Sequence, residues 1–221
     1  MTFTLVFLAI IMASVIGWLL RQSLNTQPWD ANDPVENRPG RGVVNMEPAK
    51  VALLTFIAVV TSLFALFLSA YLMRMELGDW NQLAEPKLLW LNSGLLVLAS
   101  FAFQLTRGAA KRGQLLTVKT GLIAGGVCTT LFLLGQLVAW QQLNAGGYFM
   151  TSNPANAFFY LLTALHGMHL LGGMWVWGRT TARVLTGADA EGVRLSVELC
   201  TVYWHYLLLV WFGLFALLLS T

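Results

Sequence analysis

Charge is what this sequence has least of. Charged residues make up 10% of its 221 positions, whereas hydrophobic residues make up 57%. A soluble domain carries about 25% charged residues, so this composition excludes an ordinary soluble globular protein and indicates an integral membrane protein. The formal net charge of +3 does not indicate nucleic-acid binding, because the basic residues lie in short loops between apolar segments, where membrane topology places them.

Cysteine and histidine are also scarce, with two and three residues respectively. Cys128 and Cys200 lie within apolar segments and lack the Cys-x-x-Cys spacing of metal or redox sites, so we expect buried, unreactive thiols. Proline is absent from the apolar segments. That absence argues against a transporter, whose substrate site is typically flanked by interrupted helices, although Gly125-Gly126 keeps this alternative open.

Six apolar segments are long enough to cross a hydrocarbon core, which needs about 20 residues per helix. They predict an all-α, polytopic membrane helix bundle with spans at Phe3–Leu20, Val51–Met73, Leu88–Leu105, Val118–Trp140, Ala157–Trp177 and Leu195–Leu219. We expect residues 1–20 to form an N-terminal transmembrane anchor, residues 21–49 an irregular loop broken by four prolines, and residues 50–221 a five-helix membrane domain. The first span has Arg21 behind it and no basic residue ahead, the reverse of a cleaved signal peptide.

The distribution of basic residues predicts the orientation of these spans. The first, third and fifth connections hold most of them: Arg21, Arg38, Arg41, Lys50, Arg107, Lys111, Arg112, Lys119, Arg179, Arg183 and Arg194. The second connection balances Arg74 and Lys87 with acidic residues, and the fourth carries no charge. The odd-numbered connections are therefore predicted to be cytoplasmic, with both termini outward.

Small residues within two of the spans predict close helix packing. Ala58, Ser62, Ala65 and Ser69 follow one region of the second span, and Gly121 and Gly125 form a Gly-x-x-x-Gly pair in the fourth. Such positions let the backbones of membrane helices approach each other.

An unusual set of ionisable groups lies in the last two spans: His166, His169, Glu198 and His205. His166 and His169 are three residues apart and share a helix face, and Glu198 and His205 are seven apart. Counted from the predicted cytoplasmic ends, His169 and His205 both lie about 15 Å deep and could meet between neighbouring helices. Glu198 lies near the interface, where we expect a cation among Arg179, Arg183 and Arg194 to pair with it.

Three chemical interpretations of this set compete. His169 and His205 could hold a haem between two helices, as in a stand-alone b-type cytochrome. The three imidazoles and Glu198 could bind a metal ion, although their depths differ by about 10 Å. We favour the third, in which the polar groups hydrogen-bond across helices or to a partner chain and lock the packing.

Three segments carry a family resemblance. Asn156–Gly173 contains Leu-His-Gly-Met-His, Val197–Trp211 contains a glutamate followed by Tyr-Trp-His and a later Val-Trp, and Leu89–Ser100 contains Leu-Asn-Ser. Together with Gln136, they resemble the signature of subunit III of haem-copper terminal oxidases. The resemblance runs from Lys50 to the C-terminus and leaves the first span outside the family's core.

This resemblance implies a non-catalytic subunit in a complex that reduces oxygen to water and pumps protons. It implies direct contact with subunit I, membership with subunit II and other small subunits, bound phospholipid, and a bacterial inner membrane. Haem and copper are expected in the partner catalytic subunit, with no cofactor, metal or catalytic residue on this chain, because three histidines are too few for two haems and a copper ion. A quinol oxidase subunit III and an accessory subunit of a nitric oxide reductase are the nearest alternatives.

Residue roles follow from the same resemblance. The interhelical polar set comprises Glu198, His166, His169, His205, Gln136 and Asn92, and the candidate lipid contacts are Trp204, Trp211, Tyr203 and Arg183. Three positions depart from the family, which usually has carboxylates where this chain has Val60, Ala139 and Leu208. A role in proton uptake, which would depend on those carboxylates, is not predicted.

Overall fold

The computed structural model describes residues 47–80, 87–187 and 190–219. Within these ranges the chain forms no strand and is built of helices α1 to α5, with bounds at Pro48–Met75, Leu88–Lys111, Leu115–Ala145, Pro154–Leu185 and Ala190–Leu219. They match the second to sixth predicted spans, and the all-α prediction is confirmed for the described residues. The predicted anchor Phe3–Leu20 and the loop that follows it up to residue 46 lie outside them.

Each of the five helices is long and apolar enough to cross a membrane. The observed helices are longer than the predicted spans, and α2 continues from Leu105 to Lys111 while α5 begins five residues before Leu195. The reason is that hydropathy marks only the part of a helix that crosses the hydrocarbon core. The polar residues beyond it keep the helical backbone as they enter the interfacial layer.

Local sequence explains where several helices begin and end. Asn153 caps α4 by accepting a hydrogen bond from the Ala155 amide at 3.2 Å, and Pro154 occupies the first helical turn. Both residue types suit a helix start, since proline lacks the amide hydrogen that would have no partner there. Gly113 and Gly187 take positive φ angles of 72° and 96° just after α2 and α4, a conformation that glycine adopts without strain.

The chain divides into two compact units, Met1–Ala70 and Tyr71–Thr221. In the first unit, hydroxyls along α1 donate to the carbonyl four residues earlier, as for Thr55 to Val51, Thr61 to Ile57 and Ser62 to Ala58. These bonds give each hydroxyl an acceptor on its own helix.

The second unit contains a closed arrangement of four helices. Here α2 packs on α3, α3 on α4, α4 on α5, and α5 returns to α2. Its centre is filled by fully buried side chains, among them Leu96, Phe103, Phe132, Leu170 and Trp211. Each helix therefore has an inner face directed at its neighbours and an outer face that stays exposed.

Glycines on α3 allow the close packing that the sequence predicted. A Cβ atom added to Gly125 would lie 2.7 Å from Cε2 of Phe103 on α2, and one added to Gly121 would lie 3.2 Å from Cβ of Thr106. The prediction that this Gly-x-x-x-Gly pair permits close backbone approach is confirmed. The same helix accepts the Trp177 ring of α4 against Gly126.

Candidate functional site

Tryptophan side chains join the helices of the second unit through hydroxyl groups. The Trp211 Nε1 of α5 donates to Ser93 Oγ of α2 at 2.9 Å, and Trp204 Nε1 donates to Thr129 Oγ1 of α3 at 2.9 Å. Trp140 Nε1 of α3 donates in the same way to Thr163 Oγ1 of α4 at 3.1 Å. The same type of hydrogen bond, from an indole N–H to a side-chain hydroxyl, therefore connects three pairs of helices.

Each accepting hydroxyl is itself held by its own helix. Thr129 Oγ1 donates to the carbonyl of Gly125 at 2.8 Å, and Ser93 Oγ donates to that of Leu89 at 2.8 Å. Because the hydroxyl hydrogen is committed to this carbonyl, an oxygen lone pair is left to accept the indole N–H. An interhelical hydrogen bond in a membrane protein contributes about 0.6 kcal/mol on average.

Backbone carbonyls serve as acceptors at three further crossings. Trp177 Nε1 donates to Leu122 O at 2.9 Å, Tyr203 Oη donates to His169 O at 3.0 Å, and Thr201 Oγ1 lies 3.1 Å from Phe103 O. The Tyr203 bond connects α5 to α4, and the Thr201 contact connects α5 to α2. The last helix is consequently bonded to all three other helices of the unit.

Asn92 and Gln136 meet between α2 and α3. Asn92 Nδ2 donates to Gln136 Oε1 at 2.9 Å, and both side chains are buried, with exposed fractions of 1% and 6%. Two residues that the sequence selected as interhelical polar groups are thus brought into direct contact. Their remaining atoms, Asn92 Oδ1 and Gln136 Nε2, have no hydrogen-bond partner among the described residues.

Glu198 has a partner that the sequence reading overlooked. Arg107 of α2 donates to Glu198 Oε1 of α5 at 2.7 Å, with both side chains partly exposed. The predicted partners were Arg179, Arg183 and Arg194, which are the cations nearest to Glu198 in the sequence. Arg107 was missed because α2 extends past Leu105, the end of the predicted span, and carries this arginine alongside α5.

His166 forms no interhelical hydrogen bond with the residues that the structure describes. Its side chain is fully buried, yet neither ring nitrogen has a hydrogen-bond partner among the described residues. The imidazole instead packs between aromatic rings, with centroids 5.3 Å from Trp211 and 5.9 Å from Phe132. Among the described residues the imidazole packs as a flat aromatic side chain, and a hydrogen bond from His166 to a partner chain stays a prediction.

The other two histidines bind the backbone of their own helices. His169 Nδ1 lies 2.7 Å from Leu165 O, and His205 Nδ1 lies 2.8 Å from Thr201 O. A carbonyl can only accept, so Nδ1 carries the hydrogen in both rings and Nε2 is left as the acceptor in the neutral form. His169 is half-buried, whereas His205 is exposed. Within the part of the chain that the structure describes, no three His, Cys, Asp or Glu residues gather closely enough to hold a metal ion.

Three of the four candidate lipid contacts are buried within the protein. Trp204 and Trp211 have exposed fractions of 1% and 0%, so their rings cannot reach a lipid from this position. The sequence left lipid contact and helix packing open for these two residues, and their N–H groups form the helix contacts described above. Tyr203 is also buried, with its hydroxyl bonded to α4. Arg183 is exposed in the last turn of α4, and its lipid contact stays a prediction.

The expectation of buried thiols is confirmed for Cys200 and not for Cys128, and their low reactivity stays a prediction. Both are free, and Cys200 is buried with its Sγ 3.9 Å from Thr180 Oγ1. Cys128 is only half-buried.

The tryptophan–hydroxyl contacts are the main feature that sequence reasoning missed. In the sequence, these contacts were indicated only by a tryptophan in one span and a serine or threonine at about the same membrane depth in another span. Depth alone does not pair them, because several hydroxyls lie at each level of the spans. The helix order around the closed arrangement decides which pairs form.

Comparison with known proteins identifies several that are similar to this chain in sequence. No protein-family model matches it. A "Probable cytochrome c oxidase subunit 3" from Mycobacterium bovis is 29% identical over 128 residues, 56% of this chain and 61% of that protein. One of the same name from Nocardia farcinica is 25% identical over 69% of this chain and 78% of its own length. A "Cytochrome c oxidase subunit 3" from Synechocystis sp. is 26% identical over 73% and 71%.

The match to the mycobacterial relative covers only 61% of that protein's length. The three relatives nevertheless carry the same name, and the longest match extends over 168 residues. They agree with the resemblance that the histidine, glutamate and asparagine motifs indicated. The chain is thus similar to proteins named cytochrome c oxidase subunit 3, which confirms the resemblance that its motifs indicated.

Proposed function

We propose that this chain is the non-catalytic subunit III of a respiratory cytochrome c oxidase. In that role it stabilises the catalytic subunit, subunit I, within a complex that also contains subunit II and reduces oxygen to water with coupled proton transfer. The observation that carries the proposal is the common name of its relatives, aligned over as much as 73% of the chain. The five membrane-length helices agree with a multi-pass subunit of the bacterial inner membrane.

The hydrogen bonds of the second unit support a structural role for the polar residues. Asn92 and Gln136 bond to each other, and Glu198 is paired with Arg107. These contacts hold helices together, as expected of a rigid surface against which a larger subunit can pack. Haem and copper belong to the partner subunit in this proposal, and this chain binds no cofactor other than phospholipid.

Phospholipid binding is proposed for the exposed end of α4. Arg183 lies in its last helical turn with its side chain exposed. A guanidinium at the end of a membrane helix can donate two parallel hydrogen bonds to a lipid phosphate. Measurement of phosphorus in purified wild type and Arg183→Gln would test this contact, and an equal lipid content in both would contradict it.

Gentle-detergent purification of the tagged chain from its native membrane tests the main proposal. We expect a large, histidine-rich subunit to co-purify, with absorption bands of haem and with copper detected by elemental analysis. Peptide identification of the partners would reveal the attached electron-donor module. Haem on this chain alone would refute the proposal in favour of a b-type cytochrome, and a large subunit with non-haem iron would indicate a nitric oxide reductase.

Replacement of Glu198 separates a structural role from a role at the haem centres. Glu198→Ala leaves Arg107 without its carboxylate, so we expect a lower yield of intact complex, by roughly threefold to fivefold for about 1 kcal/mol. The haem spectrum of the complex that does assemble should be unchanged. Glu198→Gln is the matched control, since it removes the charge but keeps a hydrogen-bond acceptor. An intact complex lacking one haem would contradict the structural assignment.

A further inference from the structure

The amide pair of Asn92 and Gln136, between α2 and α3, is joined by one hydrogen bond rather than two. Asn92 Nδ2 donates to Gln136 Oε1 at 2.9 Å, while Gln136 Nε2 and Asn92 Oδ1 have no hydrogen-bond partner among the described residues. Each amide has both a donor and an acceptor, so two facing amides can form two hydrogen bonds with each other. Here one N–H group and one carbonyl oxygen stay available beside the bond that is made.

The amide pair is enclosed by protein within the membrane-spanning part of the fold. The exposed fractions are 1% for Asn92 and 6% for Gln136, and their two free atoms are inaccessible to bulk solvent. Asn92 lies four residues after Leu88 and Gln136 four residues before Trp140, so both lie about 6 Å inside the ends of the predicted spans. An amide group without a hydrogen-bond partner is strongly unfavourable in such surroundings.

Gly135 determines where the Asn92 amide lies. A Cβ atom on Gly135 would overlap Asn92 Oδ1 and would lie 2.9 Å from Asn92 Cγ, so this amide occupies the space that the glycine leaves on α3. The backbone of α3 offers no donor to the oxygen there, because N–H groups in the middle of a helix bond to the carbonyl four residues earlier. The donor for Asn92 Oδ1 must therefore come from elsewhere.

The hydroxyl group next to Asn92 in the sequence is already bonded on both sides. Ser93 Oγ donates to Leu89 O at 2.8 Å and accepts the Trp211 indole N–H at 2.9 Å. Its hydrogen is committed to that carbonyl and is not available to the amide pair. What the pair lacks is a small molecule that can accept one hydrogen bond and donate another.

We propose that the amide pair is an internal water-binding site. A water molecule there accepts a hydrogen bond from Gln136 Nε2 and donates one to Asn92 Oδ1, which closes the two amides into a ring. Buried waters bind polar groups that lack other partners and have about two to four polar contacts each. If the oxygen and nitrogen of both amides exchange places, the free atoms become Asn92 Nδ2 and Gln136 Oε1. The site then holds the same water in the reversed orientation.

Water is the ligand class that matches this site. A metal ion would meet an amide N–H group, which cannot ligate it, and an anion would meet a carbonyl oxygen, which repels it. Water alone among common small species offers a donor and an acceptor in the volume of one heavy atom. His166 is also buried without a described partner, but its ring packs on Phe132 and Trp211. The two amides are already within one hydrogen bond of each other, so the water is assigned to them.

A structure of the purified chain, in the assembly that it forms in its native membrane, tests the site at a resolution that shows ordered water. We expect a density peak within about 3.2 Å of a side-chain atom of both Asn92 and Gln136. The peak should be lost in Gln136→Leu. It should remain in His166→Phe, the matched control, which removes another buried polar side chain and leaves both amides intact.

The wild-type map is decisive even if Gln136→Leu does not fold. A second direct hydrogen bond between the two amides, or a peak that contacts only one of them, would overturn the proposal. A peak that persists in Gln136→Leu would overturn it as well. Loss of the peak in His166→Phe would assign the water to the imidazole instead of the amide pair.

Transfer of magnetisation from water to the Gln136 side-chain N–H groups gives a readout that does not depend on a density map. In isotopically labelled wild type, we expect the nuclear Overhauser signal of a long-lived water at Gln136, whereas the exposed Gln141 side chain should show only rapidly exchanging water. Asn92→Leu removes the acceptor of the water and should abolish the signal at Gln136. No signal at Gln136 in wild type, or an unchanged signal in Asn92→Leu, would refute the site.

The water site and the proposed function fail separately. The site is formed by side chains of α2 and α3 alone, so a chain that purifies without any haem-copper subunit should still hold the water. A dry amide pair in an intact oxidase complex would refute the site and leave the proposed function standing.

Discussion

Polar side chains on the inner and outer faces of α5 have different kinds of hydrogen-bond partner. On the inner face, Trp204 and Trp211 are buried and their N–H groups bond to hydroxyls of α3 and α2. On the outer face, His205 is exposed and bonds only to its own helix among the described residues. Folding thus satisfies these two indole N–H groups on the inner face of α5. Polar groups that face outward retain capacity for assembly with another molecule.

The largest effect should come from enlarging a glycine on the inner side of the helices. Gly125→Leu would push a side chain into the Phe103 ring, since even a Cβ atom would lie 2.7 Å from it. We expect a loss of about 3 kcal/mol in the free energy of unfolding, or failure of the helices to pack. Thermal denaturation in detergent micelles, followed by circular dichroism, measures the loss.

Gly172→Leu is the matched control for that substitution. A Cβ atom at Gly172, on the exposed side of α4, would meet nothing within 4 Å. Its melting temperature should therefore stay close to that of the wild type. Equal destabilisation by the two leucines would show that helix propensity or expression, rather than packing, governs the inner face.

The tryptophan–hydroxyl contact should have the next largest effect. Thr129→Val leaves the buried Trp204 N–H without its acceptor, so we expect a loss of about 1–2 kcal/mol in the free energy of unfolding. Trp204→Phe removes the donor and should cost more because the smaller ring also leaves space. The double variant should lose less than the sum of the two single variants. Strict additivity in this double-mutant cycle would mean that the hydrogen bond contributes nothing.

His166 is an exception among the buried polar side chains, and replacing it should not reduce stability in the way that replacing Thr129 does. Both of its nitrogens are buried without a hydrogen-bond partner among the described residues, and its ring packs on Phe132 and Trp211. His166→Phe removes two unsatisfied polar atoms and keeps an aromatic ring, so we expect unchanged stability or a gain of up to about 1 kcal/mol. His166→Ala is the comparison that removes the ring and should destabilise. A marked loss in His166→Phe would reveal a polar partner for this imidazole.

The sequence predicted the helices better than it predicted the contacts between them. Hydropathy located α1 to α5 because a membrane span is a long apolar run, a property of each segment alone. The Asn92–Gln136 contact and the Glu198–Arg107 pair depend on which helices are neighbours and on their register. For Glu198, a helix boundary placed six residues too early was enough to hide the arginine.

The distinction between Trp211 and His166 was equally inaccessible to sequence reasoning. The sequence predicted an interhelical hydrogen bond for His166 and a lipid contact for Trp211. In the structure the Trp211 N–H forms the interhelical hydrogen bond, and His166 has no hydrogen-bond partner among the described residues. The difference depends on Ser93, which lies 118 positions from Trp211 in the sequence. Only the packed structure brings that hydroxyl to the indole.

The smallest effect on stability should come from an exposed ion pair at the end of α1, because water competes for both of its partners. Arg74 in the last turn of α1 forms an exposed, bidentate ion pair with Asp79 of the following loop. The hydrogen bond from Arg74 holds the pKa of the Asp79 carboxyl below its ordinary value. A lowered folded-state pKa stabilises the fold above the ordinary value of about 4, and this contribution is lost as pH falls through the lowered value. We therefore expect wild type and Asp79→Asn to differ slightly in stability at pH 7, and the difference to shrink as the pH falls below the ordinary carboxyl pKa and in high salt. Thermal denaturation of both proteins across this pH range checks it. A difference that grows on acidification would show that Asp79 is protonated more readily in the folded chain, which would contradict the pairing with Arg74.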